Sequence, residues 1–218
     1  MTKTNQQKVK DFLINNGVII VMFILVIYTG FTSDNFFTKN NFMNILMNMS
    51  SRLVIALGIA GCVITAGCDL SAGRMIGFGA CISGMLLQRM DYSGKFFPDM
   101  QPLNVFVVAL IAMLVCAAFG TVTGFFIAYL NVPPFIATLA MMEIVYGIGL
   151  IVTNATPLGG YVEQYTNVSN GKFLGINYLI WIAIIVAAIT WFIFNMTRHG
   201  KYMYAIGGNP QAAEVAGV

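Results

Sequence analysis

Few residues in the apolar parts of this 218-residue chain could do chemistry, and two of those few are acids. Asp69 stands in ITAGCDLSAGR, between two apolar stretches, with Ser71 close by and glycines on either side. A carboxylate there has two readings. It can accept amide hydrogen bonds at the start of the following helix, as Ser71 could too. Alternatively, the glycines break a helix beside a solute pathway, since irregular backbone at membrane depth is tolerated only against protein or water. Glu143, in TLAMMEIVYGIG, falls inside an apolar run where an ionised carboxylate facing lipid costs on the order of several kcal/mol. It is expected to face inward, where it is hydrogen-bonded to another segment, protonated, or lining a polar cavity. The single histidine, His199, lies among cations in TRHGK and reads as a solvated side chain rather than a base. No serine, histidine and aspartate constellation is written. Gly94-Lys95 and Gly171-Lys172 lack the upstream glycine and following hydroxyl of a phosphate loop, so the chain does not itself use ATP. Cys62, Cys68, Cys81 and Cys116 show no C-x-x-C spacing and read as small apolar residues, with a Cys62 and Cys68 redox pair as the lesser alternative. No metal and no cofactor is expected.

The elements that must position these residues follow from composition. Hydrophobic residues make up 58% and charged residues 9% of the chain, against about 45–50% and about 25% in ordinary soluble domains. Mean hydropathy is +0.81. The apolar residues recur in block after block, so the chain is expected to cross a bilayer several times rather than carry one anchor. A net charge of +3 is too small a surplus for a nucleic-acid binder. A helix needs about 20 apolar residues to cross roughly 30 Å of hydrocarbon. Six stretches qualify, near 12–31, 45–66, 75–90, 103–130, 135–153 and 176–195. Between them lie the polar punctuators TSDNFFTKNN, GCDLSAGR, DYSGKFFPDMQP, NVPP and the long TNATPLGGYVEQYTNVSNGK, all read as loops. Pro133 and Pro134 end one helix and open the next.

Lys3, Lys8 and Lys10 precede the first stretch, and FTSDNFF after it lacks the small-x-small pair of a cleaved signal, so the first stretch reads as an uncleaved span. With the amino end in the cytoplasm, alternation puts Arg74, Arg198 and Lys201 on the same side and Lys39, Lys95 and Lys172 on the other, a positive-inside bias. Small residues at four-residue spacing, namely Gly73 and Gly77, Ala80 and Gly84, Ala56 and Ala60, Gly120 and Gly124, suit close helix packing in lipid.

The last stretch, GKYMYAIGGNPQAAEVAGV, carries helix signals without a spanning length. Asn209 is a favourable cap, Pro210 suits the first helical position and Gly217 the residue past the end. Ala212, Ala213, Val215 and Ala216 offer a small, smooth face that could enter a groove on a partner, the plain alternative being a connecting turn.

Three segments, ITAGCDLSAG, GFFIAYLNVPPFIATLAMM and GKYMYAIGGNPQAAEVAGV, together resemble the permease subunits of bacterial ATP-binding-cassette importers for sugars, of the ribose, xylose and galactose type. The likeness runs in order over nearly the whole chain. It implies that the final segment is the cytoplasmic coupling loop that docks on an ATPase subunit through Gly208, Asn209, Ala212, Ala213, Glu214 and Gly217. Tyr146-Gly147 stands where many such permeases carry Arg-Gly and is similar to the galactose and methyl-galactoside branch. Glu143 stands where that family has a small or apolar residue, so no family role passes to it. Permeases of this kind continue through further spans, so the resemblance implies a chain truncated at Val218.

The expectation is therefore an all-α, polytopic membrane helical bundle of about six spans, with a cytoplasmic tail at 1–11, a transmembrane region at 12–195 and a coupling loop at 196–218. As a multi-pass permease subunit of the bacterial inner membrane, it would move a monosaccharide. Implied partners are an ATPase subunit, a periplasmic sugar-binding protein, a second permease copy and membrane lipid. The pathway candidates are Asp69, Ser71, Glu143 and Tyr146. The alternative is a facilitator or secondary transporter of a small polar solute that needs no ATP.

Overall fold

A computed structural model of the chain describes residues 13–218; the 1–11 tail with Lys3, Lys8 and Lys10, and the start of the first expected stretch, lie outside the described residues. Helices dominate: α1 (Gly17–Thr32), α2 (Lys39–Ile64), α3 (Ala72–Leu86), α4 (Val105–Leu130), α5 (Pro134–Thr153), α6 (Glu163–Asn170), α7 (Tyr178–Met196), α8 (Arg198–Gly208) and α9 (Pro210–Val215), with a two-stranded ribbon of β1 (Lys172–Phe173) and β2 (Ile176–Asn177). Each of the six expected apolar stretches holds a helix among the described residues. Four of them, α2, α4, α5 and α7, are long and apolar enough to cross a membrane, while α1 and α3 are shorter.

Two compact units divide inside α2, at residues 48 and 49. In the first, α2 begins at Lys39, six residues before the expected start, because Thr38 caps it: its hydroxyl accepts from the Asn41 amide at 3.3 Å. Asn41 in turn donates to the Phe36 carbonyl at 2.8 Å, so polar residues read as loop belong to the helix and its entry turn.

The core of the second unit lies where α3, α4 and α5 meet. Phe78, Ile82, Met141 and Val145 are buried together, and Phe119 meets the Phe78 ring edge-on at 5.6 Å. Local chemistry sets the helix ends. The Asn104 side chain caps α4 by accepting from the Phe106 amide at 2.9 Å. Asn131 and Asn154 close α4 and α5 in left-handed conformation, which asparagine tolerates. Pro134 opens α5, as read from the sequence.

The long polar segment after α5 is folded, contrary to its reading as a loop. It holds α6 and the ribbon, in which Lys172 pairs with Asn177 and Phe173 with Ile176. Leu174 (φ 53°) and Gly175 (φ 80°) form the turn, both left-handed, as a two-residue hairpin requires. The expected four-residue glycine pairs are not packing seams: a methyl group added at Gly73, Gly77, Gly120 or Gly124 would meet nothing within 4 Å. Close approach falls at Gly84, of the expected Ala80 and Gly84 pair, and at Gly207, which belongs to none. At Gly84 an added carbon would lie 3.1 Å from Leu158, and at Gly207 it would overlap the Ile64 carbonyl.

Candidate functional site

The third expected span is not a full-length helix. At its carboxyl end α3 is level with the start of α4, since the Leu103 amide donates to the Leu86 carbonyl at 3.3 Å. At its first turn it is level with the middle of the 26-residue α4, where Cys116 Sγ donates to the Met75 carbonyl at 3.6 Å. Eleven residues separate Met75 from Leu86, about 16 Å at 1.5 Å per residue, or half the hydrocarbon thickness. Residues 65–71, which lead into α3, are not helical. Gly67 closes α2 by donating to the Cys62 carbonyl at 2.8 Å. The chain then turns back toward the first turn of α3, level with the middle of α4.

Asp69 holds that turn. Its Oδ1 accepts from the Ser71 amide at 2.8 Å and from the Ser71 hydroxyl at 2.7 Å. Ser71 is buried but makes no side-chain cap of its own; its carbonyl receives the Arg74 and Met75 amides. Both readings of Asp69 thus meet in one place, because the carboxylate stabilises a helix start and that start lies in a break halfway along the neighbouring helix.

Two cavities flank the first turn of α3. One, of about 360 Å³, is bounded by Gly58 of α2, Asp69, Ser71, Met75, Cys116 and Gly120. The other, of about 180 Å³ between α3 and α5, is bounded by Arg74, Gly77, Cys81, Tyr146, Gly149 and Thr153. Glycines expected to draw helices together instead leave these spaces open.

Arg74 was expected in a cytoplasmic loop. It lies instead beside the middle of α5, its guanidinium 4.0 Å above the Tyr146 ring. Hydropathy reads an arginine next to polar residues as a loop, whereas Arg74 belongs to the first turn of α3. Glu143 differs from expectation too. It is exposed on α5 rather than packed inward, three residues before the partly exposed Tyr146 and so one turn away on a neighbouring face. Asp69, Ser71 and Tyr146 are gathered around the start of α3, whereas Glu143 borders neither cavity.

The far end of α3 is clamped. Gln88, 1% exposed, donates to the Gly159 carbonyl at 3.0 Å and accepts from the Phe96 amide at 2.7 Å. Tyr92 lies against Gly160, whose φ of +69° and lack of a side chain both suit glycine. Tyr161 donates to the Leu158 carbonyl at 2.8 Å, and burial, aided by Tyr165, raises its phenol above the ordinary range so that it remains the donor. Nothing in the sequence pattern singled out Gln88.

At the carboxyl end α9 is capped as read. Asn209 Oδ1 accepts from the Ala212 amide at 3.1 Å, Pro210 opens the helix, and Gly217 takes φ +82° as its amide donates to the Glu214 carbonyl at 3.0 Å. The expected smooth face is split. Ala213 is buried against the neighbouring α8, leaving Ala212, Glu214, Val215 and Ala216 exposed. The sequence reading missed α8 itself, which is tied to two spans. Gly207 approaches the Ile64 carbonyl of α2, Gly200 approaches the Phe194 carbonyl of α7, and Met203 packs 3.1 Å from the position of a carbon on Gly61. Gly208 ends α8 in open space.

Helices of membrane-spanning length, interrupted by a capped polar turn and bordered by cavities, suit a transport permease. Residues 41–218 match the family described as the permease component of branched-chain amino acid transport systems, and the chain belongs to that family. It is a multi-pass protein of the inner membrane. It is 40% identical, over all of its length and 67% of the relative's, to the galactose/methyl galactoside import permease protein MglC of Escherichia coli strain K12. The protein of the same name from Haemophilus influenzae is also 40% identical, with the same coverage. The ribose import permease protein RbsC of Escherichia coli strain K12 is 31% identical over 96% of this chain and 63% of its own. No solved structure matches.

Proposed function

We propose that the chain is the membrane-spanning subunit of an ATP-driven importer of galactose and methyl galactosides in the bacterial inner membrane. The observation that carries this reading is 40% identity to galactose/methyl galactoside import permeases along the entire chain. The 31% identity to a ribose permease supports a monosaccharide in preference to the branched-chain amino acids of the family description. ATP hydrolysis belongs to a separate ATPase subunit, a periplasmic sugar-binding protein delivers the solute, and two permease copies line the pathway within membrane lipid. Residues 12–195 form the transmembrane region, and 196–218 together with the 1–11 tail face the cytoplasm. Within 196–218, α9 is the coupling helix: Gly208 and Asn209 lead into it, Ala212 and Glu214 face the ATPase, Ala213 fixes it to α8 and Gly217 ends it. Asp69, Ser71 and Tyr146 line the pathway around the break in α3, and Glu143 lines it from the exposed face of α5.

The coupling route follows from the contacts of α8. A push on α9 moves α8, which bears on the carboxyl end of α2 through Gly207, and the chain beyond that end is the turn held by Asp69. The test is uptake of labelled galactose, methyl galactoside and ribose into cells lacking other routes for them. The importer containing this chain is supplied with and without its ATPase partner. ATPase-dependent uptake of the two galactosides is expected. Uptake without the ATPase, or of ribose alone, would overturn the reading.

A further inference from the structure

The cavity between α3 and α5 has the composition of a small-solute site. Its walls are mostly apolar, with Phe78 and Val145 behind them, and a few polar groups converge on it: the Arg74 guanidinium, Tyr146 and the Thr153 side chain. Such a mixture, an apolar surface with a small number of placed polar groups, is the general pattern of ligand pockets. At about 180 Å³ it is smaller than the roughly 300–1,000 Å³ of sites for drug-sized ligands.

Arg74 gives this cavity its character. A charged side chain at mid-membrane depth is costly unless it pairs or faces water. Arg74 pairs with no carboxylate among the described residues, and its only contact there is the Tyr146 ring, so its N–H donors are not taken by the protein. Stacking on an aromatic face holds the guanidinium plane while leaving its edge free to donate, a geometry lysine cannot copy. Thr153 is positioned by its own helix, its hydroxyl donating to the Gly149 carbonyl at 2.8 Å, which leaves its oxygen able to accept. Donors on one side and an acceptor on the other match a hydroxyl group, and the apolar wall matches the C–H face of a sugar ring. A cation with no counter-ion also repels cationic solutes from the same space.

We propose that this cavity is a water-filled solute station at mid-membrane, and that Arg74, held over the Tyr146 ring, is its specificity-determining donor for uncharged polyhydroxylated solutes of monosaccharide size. The proposal rests on the pathway reading given above, and the protein carries its own probe for separating the two, because Cys81 borders the cavity.

In the assembled importer, Cys62, Cys68 and Cys116 are replaced by serine. Cys81 is then treated with membrane-impermeant methanethiosulfonates carrying either a sulfonate or a trimethylammonium group. The anionic reagent is expected to react faster by on the order of tenfold, and Arg74→Gln should erase that preference. Tyr146→Phe should keep the preference and Tyr146→Leu should weaken it, giving a second readout if Arg74→Gln does not assemble. Maximal galactose uptake should fall roughly tenfold or more in Arg74→Gln, as for loss of a hydrogen bond to a charged group, with Arg74→Lys in between. Lack of reaction at Cys81 with either reagent would mean a dry cavity and would overturn the pathway reading together with the station. Reaction at equal rates with both reagents, or unchanged uptake in Arg74→Gln, would leave the pathway standing and overturn the role of Arg74.

Discussion

Two adjacent glycines at the end of α8 offer a matched comparison. In Gly207→Ala the new methyl group overlaps the Ile64 carbonyl oxygen and lies 2.9 Å from its carbon and 3.5 Å from Thr65 Cα. All three atoms are backbone, at the closing turn of α2, so no side chain can swing aside. Either α8 retreats or the end of α2 shifts. In Gly208→Ala nothing lies within 4 Å of the added carbon. Both substitutions gain helix propensity of up to about 1 kcal/mol, less at the terminal position, so the difference between them isolates the contact. Overpacking costs about 1–3 kcal/mol. At roughly 2–4 °C per kcal/mol for a chain of this size, Gly207→Ala should melt several degrees below Gly208→Ala. The assay heats detergent-solubilised importer and measures the monodisperse fraction by size-exclusion chromatography, with galactose-stimulated ATP hydrolysis recorded in liposomes. Gly207→Ala should also lower the stimulation, because α8 and α2 no longer meet at their designed distance. Equal melting and equal stimulation in the two variants would refute the contact and the coupling route drawn through it.

Ala212→Trp and Ala213→Trp should part company in a similar way. The first, on the exposed face, should reduce copurification of the ATPase without loss of stability, whereas the second should destabilise the α8 and α9 pair by about 1–3 kcal/mol. At Asp69, asparagine keeps an acceptor for the Ser71 amide and should leave thermal stability unchanged, while alanine should cost about 0.5–2 kcal/mol. Loss of galactose uptake in Asp69→Asn at normal assembly would mark the charge itself as part of the pathway. Gly160→Ala should expose the segment after α5 to added protease, because its φ of +69° disfavours alanine and Tyr92 fills the space; unchanged cleavage would contradict the clamp.

What could be read from the residues and what could not divide along a physical line. Apolar runs long enough to cross a bilayer are local features, as are Asn209, Pro210 and Gly217 around α9, and each stands where its chemistry indicated. Depth and direction are not local. A 15-residue helix after a polar turn reads as an ordinary span until Cys116 shows that it starts halfway along α4. That placement sets Arg74 against the Tyr146 ring of α5, which no local pattern indicated. Ala213 and Ala212 have the same side chain, and only the packing of α8 turns one inward. Gly73, Gly77, Gly120 and Gly124, at four-residue spacing, carried a packing signal that the fold uses for space, while Gly200 and Gly207, which do bring α8 close to other helices, belong to no such pair.

Gln88 also constrains the order in which the chain can mature. Its amide nitrogen is satisfied by a carbonyl 71 residues later, at Gly159, and its burial depends on that contact. At synthesis rates of about 5–20 residues per second, roughly 4–14 s separate the appearance of the two partners. When that interval opens α3 is made, and α4 and α5 follow within it, yet the glutamine just past the end of α3 has no finished housing and must stay with water. The pairing of α3 with α4 is therefore provisional during insertion. It is locked only when α5 has crossed and the segment behind it folds back, which makes the arrival of Gly159 a late checkpoint in the biogenesis of this protein.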